Sequence, residues 1–173
     1  LGFCQTSNAE KIIPMRALRI LAGPQAWAHL RHQGLHANDI SVIPGAAGGP
    51  KGLILGPLDR FIFGDWLPSS NQAVDLVGAS IGAWRLASAC LNQTVEALQR
   101  LEHDYIHQDY QVPAGQKRPK PEQVSREFGA SLQAIYGGRV GEVLNHDRYR
   151  LHVMTSRGRH VLSQDGALRT PLG

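Results

Sequence analysis

Cysteine is scarce in this chain: Cys4 and Cys90 are the only two among 173 residues. Two thiols cannot staple a disulfide scaffold, and their scarcity points to a reducing, cytoplasmic setting. Long apolar runs are missing too. No stretch approaches the roughly 18–20 residues of a membrane span, and residues 1–14 lack the apolar core of a secretion signal. Glycine (19) and proline (10) fall short of collagen-like or low-complexity use. Aromatic residues make up only 6% and do not interleave with the basic ones, which argues against a base-stacking nucleic-acid surface. What remains is 42% hydrophobic sequence, enough to bury one core in one domain.

The formal net charge of +4 is unevenly placed. Residues 1–110 carry 8 Lys/Arg against 9 Asp/Glu, whereas residues 111–173 carry 10 against 5. The basic third includes Lys117, Arg118, Lys120, Arg148, Arg150, Arg157 and Arg159. It reads either as a solvated basic face or as a contact for an anionic membrane surface. The chain opens with Leu1, and Met15 stands just before a strand-like segment at 17–21. Residues 1–14 are therefore expected to be a tail foreign to the native protein, with the domain spanning 15–173. Strand-like residues lie close to Gly173 with nothing after them to cover them, so a domain incomplete at its C-terminus is expected.

Along the chain, strand-like and helix-like segments alternate. Strands are expected at 17–21, 40–43, 73–77 and 151–155. Helices are expected from Gly23-Pro24 to Gly34, over 53–63, over 81–91, from an N-cap at Thr94 to about His107, and over 122–136. Residues 111–120, with two prolines, a glycine and three basic residues, read as an exposed loop. Strands separated by helices predict βαβ units: an α/β fold with a mainly parallel sheet flanked by helices.

Two motifs carry chemistry. The first is Gly78-Ala79-Ser80-Ile81-Gly82, a G-x-S-x-G pentapeptide between an expected strand and an expected helix of small residues. A nucleophile elbow needs that context: a strand entering, a cramped turn at the serine with little side chain around it, and a helix leaving. The turn lifts the Ser80 hydroxyl above the sheet, and the helix N-terminus favours a developing oxyanion. The second motif is Gly45-Ala46-Ala47-Gly48-Gly49-Pro50-Lys51-Gly52, again between strand and helix. As a phosphate loop, G-x-x-x-x-G-K-[ST], it keeps Gly45 and Lys51, but Pro50 and Gly52 stand where a glycine and a hydroxyl belong. As a dinucleotide fingerprint it has Ala47 in place of the first glycine. As an oxyanion loop it needs only backbone donors, which Gly48 and Gly49 supply.

Taken together, residues 47–52 and 78–82, about thirty residues apart, resemble the patatin-like phospholipases. That family pairs a G-G-G-x-[RK]-G oxyanion loop with a G-x-S-x-G nucleophile. The likeness covers roughly residues 40–91 and departs at Ala47, where the family has glycine. It implies a three-layer α/β sandwich and a lipid acyl hydrolase that needs no cofactor or metal. Ser80 would be the nucleophile, Gly48 and Gly49 the oxyanion donors, and Lys51, Gly52, Gly78 and Gly82 motif positions. It also implies a Ser–Asp dyad, whose aspartate sits in an Asp-Gly-Gly or Asp-Gly-Ala motif. Asp165-Gly166-Ala167 is either that motif or the tip of a hairpin turn, with the base then lying beyond Gly173. The substrate would be a lipid or other acyl ester, met at most peripherally at a membrane.

Other readings stay open. A serine–histidine–acid triad could draw on His146, His152 or His160. His103 and His107, four apart, read as a solvated helix face or as half of a metal site. Asp75 interrupts an apolar strand, either as a buried charge or as a strand-edge group. Without a base, the chain would be a binding or regulatory piece rather than an enzyme.

Overall fold

The computed structural model describes residues 19–112, 115 and 119–160. The chain divides into two compact units, Leu1–Leu35 and His36–Gly173. In the first unit Pro24 opens helix α1 (Pro24–Gln33), where its missing N–H costs nothing, and Gly34 closes it, as the sequence predicts. The strand expected at 17–21 is not found at residues 19–21. Ile20 and Leu21 are exposed there and pair with no described neighbour, and β propensity without a ladder or burial does not make a strand. Residues 17 and 18, like the expected tail over 1–14, lie outside the described residues.

Among the described residues, the second unit is built on one sheet of three parallel strands in the order β1-β2-β3: β1 (Val42–Gly45), β2 (Val74–Ala79) and β3 (Tyr149–Met154). The fold is thus α/β with a parallel sheet flanked by helices. Each strand is displaced by one or more residues from its predicted place, and β1 runs through Pro44, which the sequence suggests as a stop. As an edge strand, β1 can carry a residue that donates nothing to the ladder.

Parallel neighbours need long crossovers, here helical. Between β1 and β2 the segment expected to be helical over 53–63 is helical throughout, but its winding changes. It runs through a 3-10 segment at Gly49–Leu55, α2 (Gly56–Phe61), a wider π turn at Ile62–Trp66 and a last 3-10 turn at Leu67–Ser69. Gly56-Pro57 explains where the α winding begins, because proline fits an α-helix only in its first turn. Between β2 and β3 come α3 (Ile81–Ala89), α4 (Thr94–Ile106), α5 (Pro121–Tyr136) and the short α6 (Val140–Leu144). Thr94 is inside α4 rather than its N-cap, which is Gln93. Its hydroxyl donates backwards to the carbonyls of Leu91 at 2.8 Å and Ala89 at 3.3 Å. The described residues of 111–120 belong to no helix or strand.

Residues alternate along β2: Val74, Leu76 and Gly78 are buried, whereas Asp75, Val77 and Ala79 are half-exposed. The buried face packs under α3, where Leu76, Val74, Leu86, Ala89, Cys90, Leu67 and Phe63 make the main core. A second cluster joins Ala87 and Leu91 of this region to Leu101 and Ile135. Asp75 points to the opposite face, half-exposed, with its Oδ1 2.9 Å from His152 Nε2. It is therefore not a buried charge.

One buried charge pair spans the crossovers. Arg85 of α3 donates from Nε and Nη2 to the two carboxylate oxygens of Asp59 on α2, each at 2.6 Å, with both residues buried. This fork ties the segment after the glycine loop to the helix after Ser80. Removing one member strands the other charge in the interior, which costs about 3–5 kcal/mol. Asp59→Ala is therefore expected to lower the Tm by roughly 10 °C or more. The double replacement Asp59→Leu with Arg85→Leu should recover most of that loss, as thermal denaturation followed by circular dichroism will show.

Candidate active site

Strand register brings the two glycine motifs together. Gly45 pairs with Gly78 across the β1–β2 ladder, so both chains leave the same end of the sheet from neighbouring strands. In open parallel sheets that end is where ligands bind. The approach is main chain on main chain. A Cβ on Gly82 would lie 2.1 Å from the Gly45 carbonyl oxygen, and one on Gly78 would lie 2.5 Å from Ala83 Cα. No side chain fits at either place. The far end of the loop also closes on the elbow, where a Cβ on Gly52 would meet Ile81 Cγ2 at 2.8 Å.

Ser80 occupies the turn with φ 52° and ψ −127°. A non-glycine residue there costs of order 1–3 kcal/mol and persists only where its surroundings fix it. Here they do: its carbonyl accepts from Ala83 N at 2.9 Å and Trp84 N at 3.3 Å, making Ser80 the N-cap of α3. Its hydroxyl makes no capping bond, and the residue is exposed. The Ile81 N–H follows it at the positive end of the helix. In the glycine loop, Gly48 precedes the 3-10 segment that Gly49, at φ 54°, begins. The first N–H groups of such a turn have no acceptor within it. Lys51 is exposed in the same turn.

Beside Ser80 lies an open pocket of about 270 Å³. Ser80, Ile81 and Trp84 of the elbow form one side, Tyr105 of α4 another, and Val124 and Phe128 of α5 a third, with Gln108, Tyr110 and Ser125 at its rim. Phe128 meets Trp84 and Tyr105 edge to face, with ring centroids 6.2 Å apart in each pair. Tyr110 donates to Gln108 Oε1 at 3.0 Å, and burial together with the Glu127 carboxylate pushes its phenol above the usual range. The rim is therefore uncharged at neutral pH. Sequence reasoning passes over these walls. One signal was available: Trp84 stands four residues after Ser80, and so on the same side of α3.

The histidines offered for a triad are placed as follows. His146 sits before β3, and its Nδ1 accepts from the backbone N–H groups of Arg148 and Tyr149, while burial lowers its pKa. His152 pairs with Asp75. His160 is exposed, with φ 52°. No described histidine or carboxylate hydrogen-bonds Ser80, and Asp165 lies outside the described residues. The His103 and His107 rings stack at 4.2 Å, and His107 Nδ1 is 2.8 Å from the His103 carbonyl. Among the described residues no group of three or more His, Cys, Asp or Glu can hold a metal ion. Cys90 is buried, its thiol pushed up to about 12, which makes it an inert core residue rather than a nucleophile.

The basic residues described in the last third are partly engaged. Arg139 forks onto Glu142, and Arg148 donates to the carbonyls of Leu67 and Gln72. No described helix is long and apolar enough to cross a membrane. Compared with protein-family models, with curated proteins and with solved structures, the chain matches none.

Proposed function

We propose that the chain is a serine-dependent ester hydrolase of the patatin-like phospholipase type, acting on lipid or other acyl esters. One observation carries the reading: an exposed serine is held at positive φ between β2 and α3, in an elbow whose Gly82 lies backbone to backbone against Gly45 and Ala46 at the start of the glycine loop. Ser80 Oγ attacks the acyl carbonyl and forms the C–O bond, while the base takes the hydroxyl proton. The oxyanion is held by N–H groups of Ile81 and of the Gly48-Gly49 turn. Collapse of this intermediate expels the alcohol, which takes the proton, and water then releases the acid. The resemblance assigns the base to an aspartate, with Asp165 as the candidate in this sequence. On this reading the described sheet and its helices belong to a three-layer sandwich, working in a reducing compartment and touching anionic membrane surfaces at most peripherally.

A second reading, a non-catalytic binding or regulatory piece, draws on the absence of a described base hydrogen-bonded to Ser80. A fluorophosphonate separates the two. Peptide mapping is expected to find one equivalent of label on Ser80. No label on the folded protein, or label elsewhere, would overturn the hydrolase.

A further inference from the structure

We propose that the buried Asp59–Arg85 pair is a positioning device: it sets the glycine turn in register with the elbow and so aims both sets of oxyanion donors at one carbonyl. The proposal rests on the hydrolase reading and goes beyond it, giving a part in the reaction to two residues that do not line the pocket beside Ser80. The donors come from separate stretches of chain. The Ile81 N–H belongs to α3, and the Gly48-Gly49 turn opens the 3-10 segment. That segment passes into α2 with no residue between them, so the turn and α2 move together. Whatever fixes α2 against α3 therefore fixes one set of donors against the other.

The pair is such a link. Arg85 stands four residues after Ile81, about 6 Å along the helix axis, and both its bonds to Asp59 are 2.6 Å long. Arg60, next to Asp59 on α2, donates to Glu102 of α4, so neighbouring residues of opposite charge bolt α2 to two helices. A planar guanidinium forked onto a carboxylate fixes distance and angle together, whereas apolar side chains can slide. Little else on α3 would stop sliding: Gly82, Ala83, Ala87, Ser88 and Ala89 are buried and small, and offer shallow ridges to a neighbour. Stability alone gives no reason for the charges, because a buried ion pair is often no more stabilising than well-packed apolar residues. What leucines would not supply is the register.

The test uses the full chain. Asp59→Leu with Arg85→Leu removes the charges, Arg85→Lys keeps the charge without the fork, and Leu101→Ala, in the second core cluster, is a destabilised control. Thermal denaturation, kcat and KM on an acyl ester, and the amide NMR signals of Gly48, Gly49 and Ile81 are followed in each. The double-leucine protein is expected to melt within a few degrees of the parent, yet to lose about 10- to 100-fold in kcat with KM unchanged. Its three amide signals should move. Arg85→Lys should lose kcat in the same sense. Leu101→Ala should melt lower with its kcat and the three signals unchanged.

A folded double-leucine protein with parental kcat, or one changed only in KM, overturns the positioning role while Ser80 labelling in the parent keeps the hydrolase. A kcat that follows Tm across all variants, Leu101→Ala included, overturns it equally. Should the double variant not fold, Arg85→Lys decides alone: a kcat loss at constant KM with moved signals upholds the proposal, and parental values overturn it. If the parent itself takes no label on Ser80, the hydrolase reading falls and the amide signals still decide the register. Moved by loss of the fork and not by Leu101→Ala, they uphold the pair as the device that sets turn against elbow; unmoved, they overturn it.

Discussion

Ser80→Ala is expected to lower kcat on an acyl ester by about 10⁴- to 10⁶-fold, the loss seen when a serine hydrolase loses its nucleophile. Folding should survive the change, because the side chain makes no capping bond and is exposed. Thermal denaturation should place the alanine variant within a few degrees of the parent. Ser80→Gly carries the sharper expectation. Glycine enters the φ 52° region without steric penalty, so it releases backbone strain of about 1–3 kcal/mol and should raise the Tm as it abolishes turnover. A gain in stability on deleting the reactive group marks strain kept for chemistry. Equal turnover by parent and alanine variant would end the proposal for Ser80.

Gly82→Ala should do the largest structural damage of any single methyl in the chain's second unit. The added carbon would stand 2.1 Å from the Gly45 carbonyl oxygen and 2.8 Å from that of Ala46. Neither oxygen belongs to a flexible side chain that could swing away, and Gly45 is held in the β1–β2 ladder. Overpacking of this kind costs about 1–3 kcal/mol or more. It also pushes the loop from the elbow, and a shift on the order of 1 Å at a reacting centre costs about 100-fold in rate. Gly129→Ala is the control. It lies in α5 with open space around its Cα, so the same methyl should stabilise by about 0.5–1 kcal/mol. Denaturant titration and ester turnover on both variants check the contrast; a Gly82→Ala protein as stable and active as the parent would mean the motifs do not touch.

The sequence makes the site more legible than the fold around it. Small residues at 78, 79 and 82, an apolar strand before and a helix after are all local signals, and α3 begins where they place it. Features made by distant residues are not legible in this way. Asp59 and Arg85 meet across 26 positions, and nothing near either marks it as buried. The helical segment expected over 53–63 is there, but its change from 3-10 to α winding at Gly56-Pro57 and to π winding at Ile62 leaves no mark in the apolar run. Val140–Leu144 is too short to show a period. Pro44 reads as a terminator until the strand order puts it on a sheet edge. The expected strand at 17–21 rested on propensity, which residues 19–21 do not honour without a neighbour. The Tyr105 and Phe128 rings come from α4 and α5, brought beside Ser80 by packing alone.

The interlock at Gly45, Gly78 and Gly82 is built from amides and carbonyls, whereas the adjoining space is bounded by replaceable side chains on separate helices. On the hydrolase reading, reaction and selectivity would thus be inscribed in different materials. Residues such as Val124, Ser125 and Phe128 could then be exchanged for bulkier or slimmer ones while the main-chain contact stays as it is.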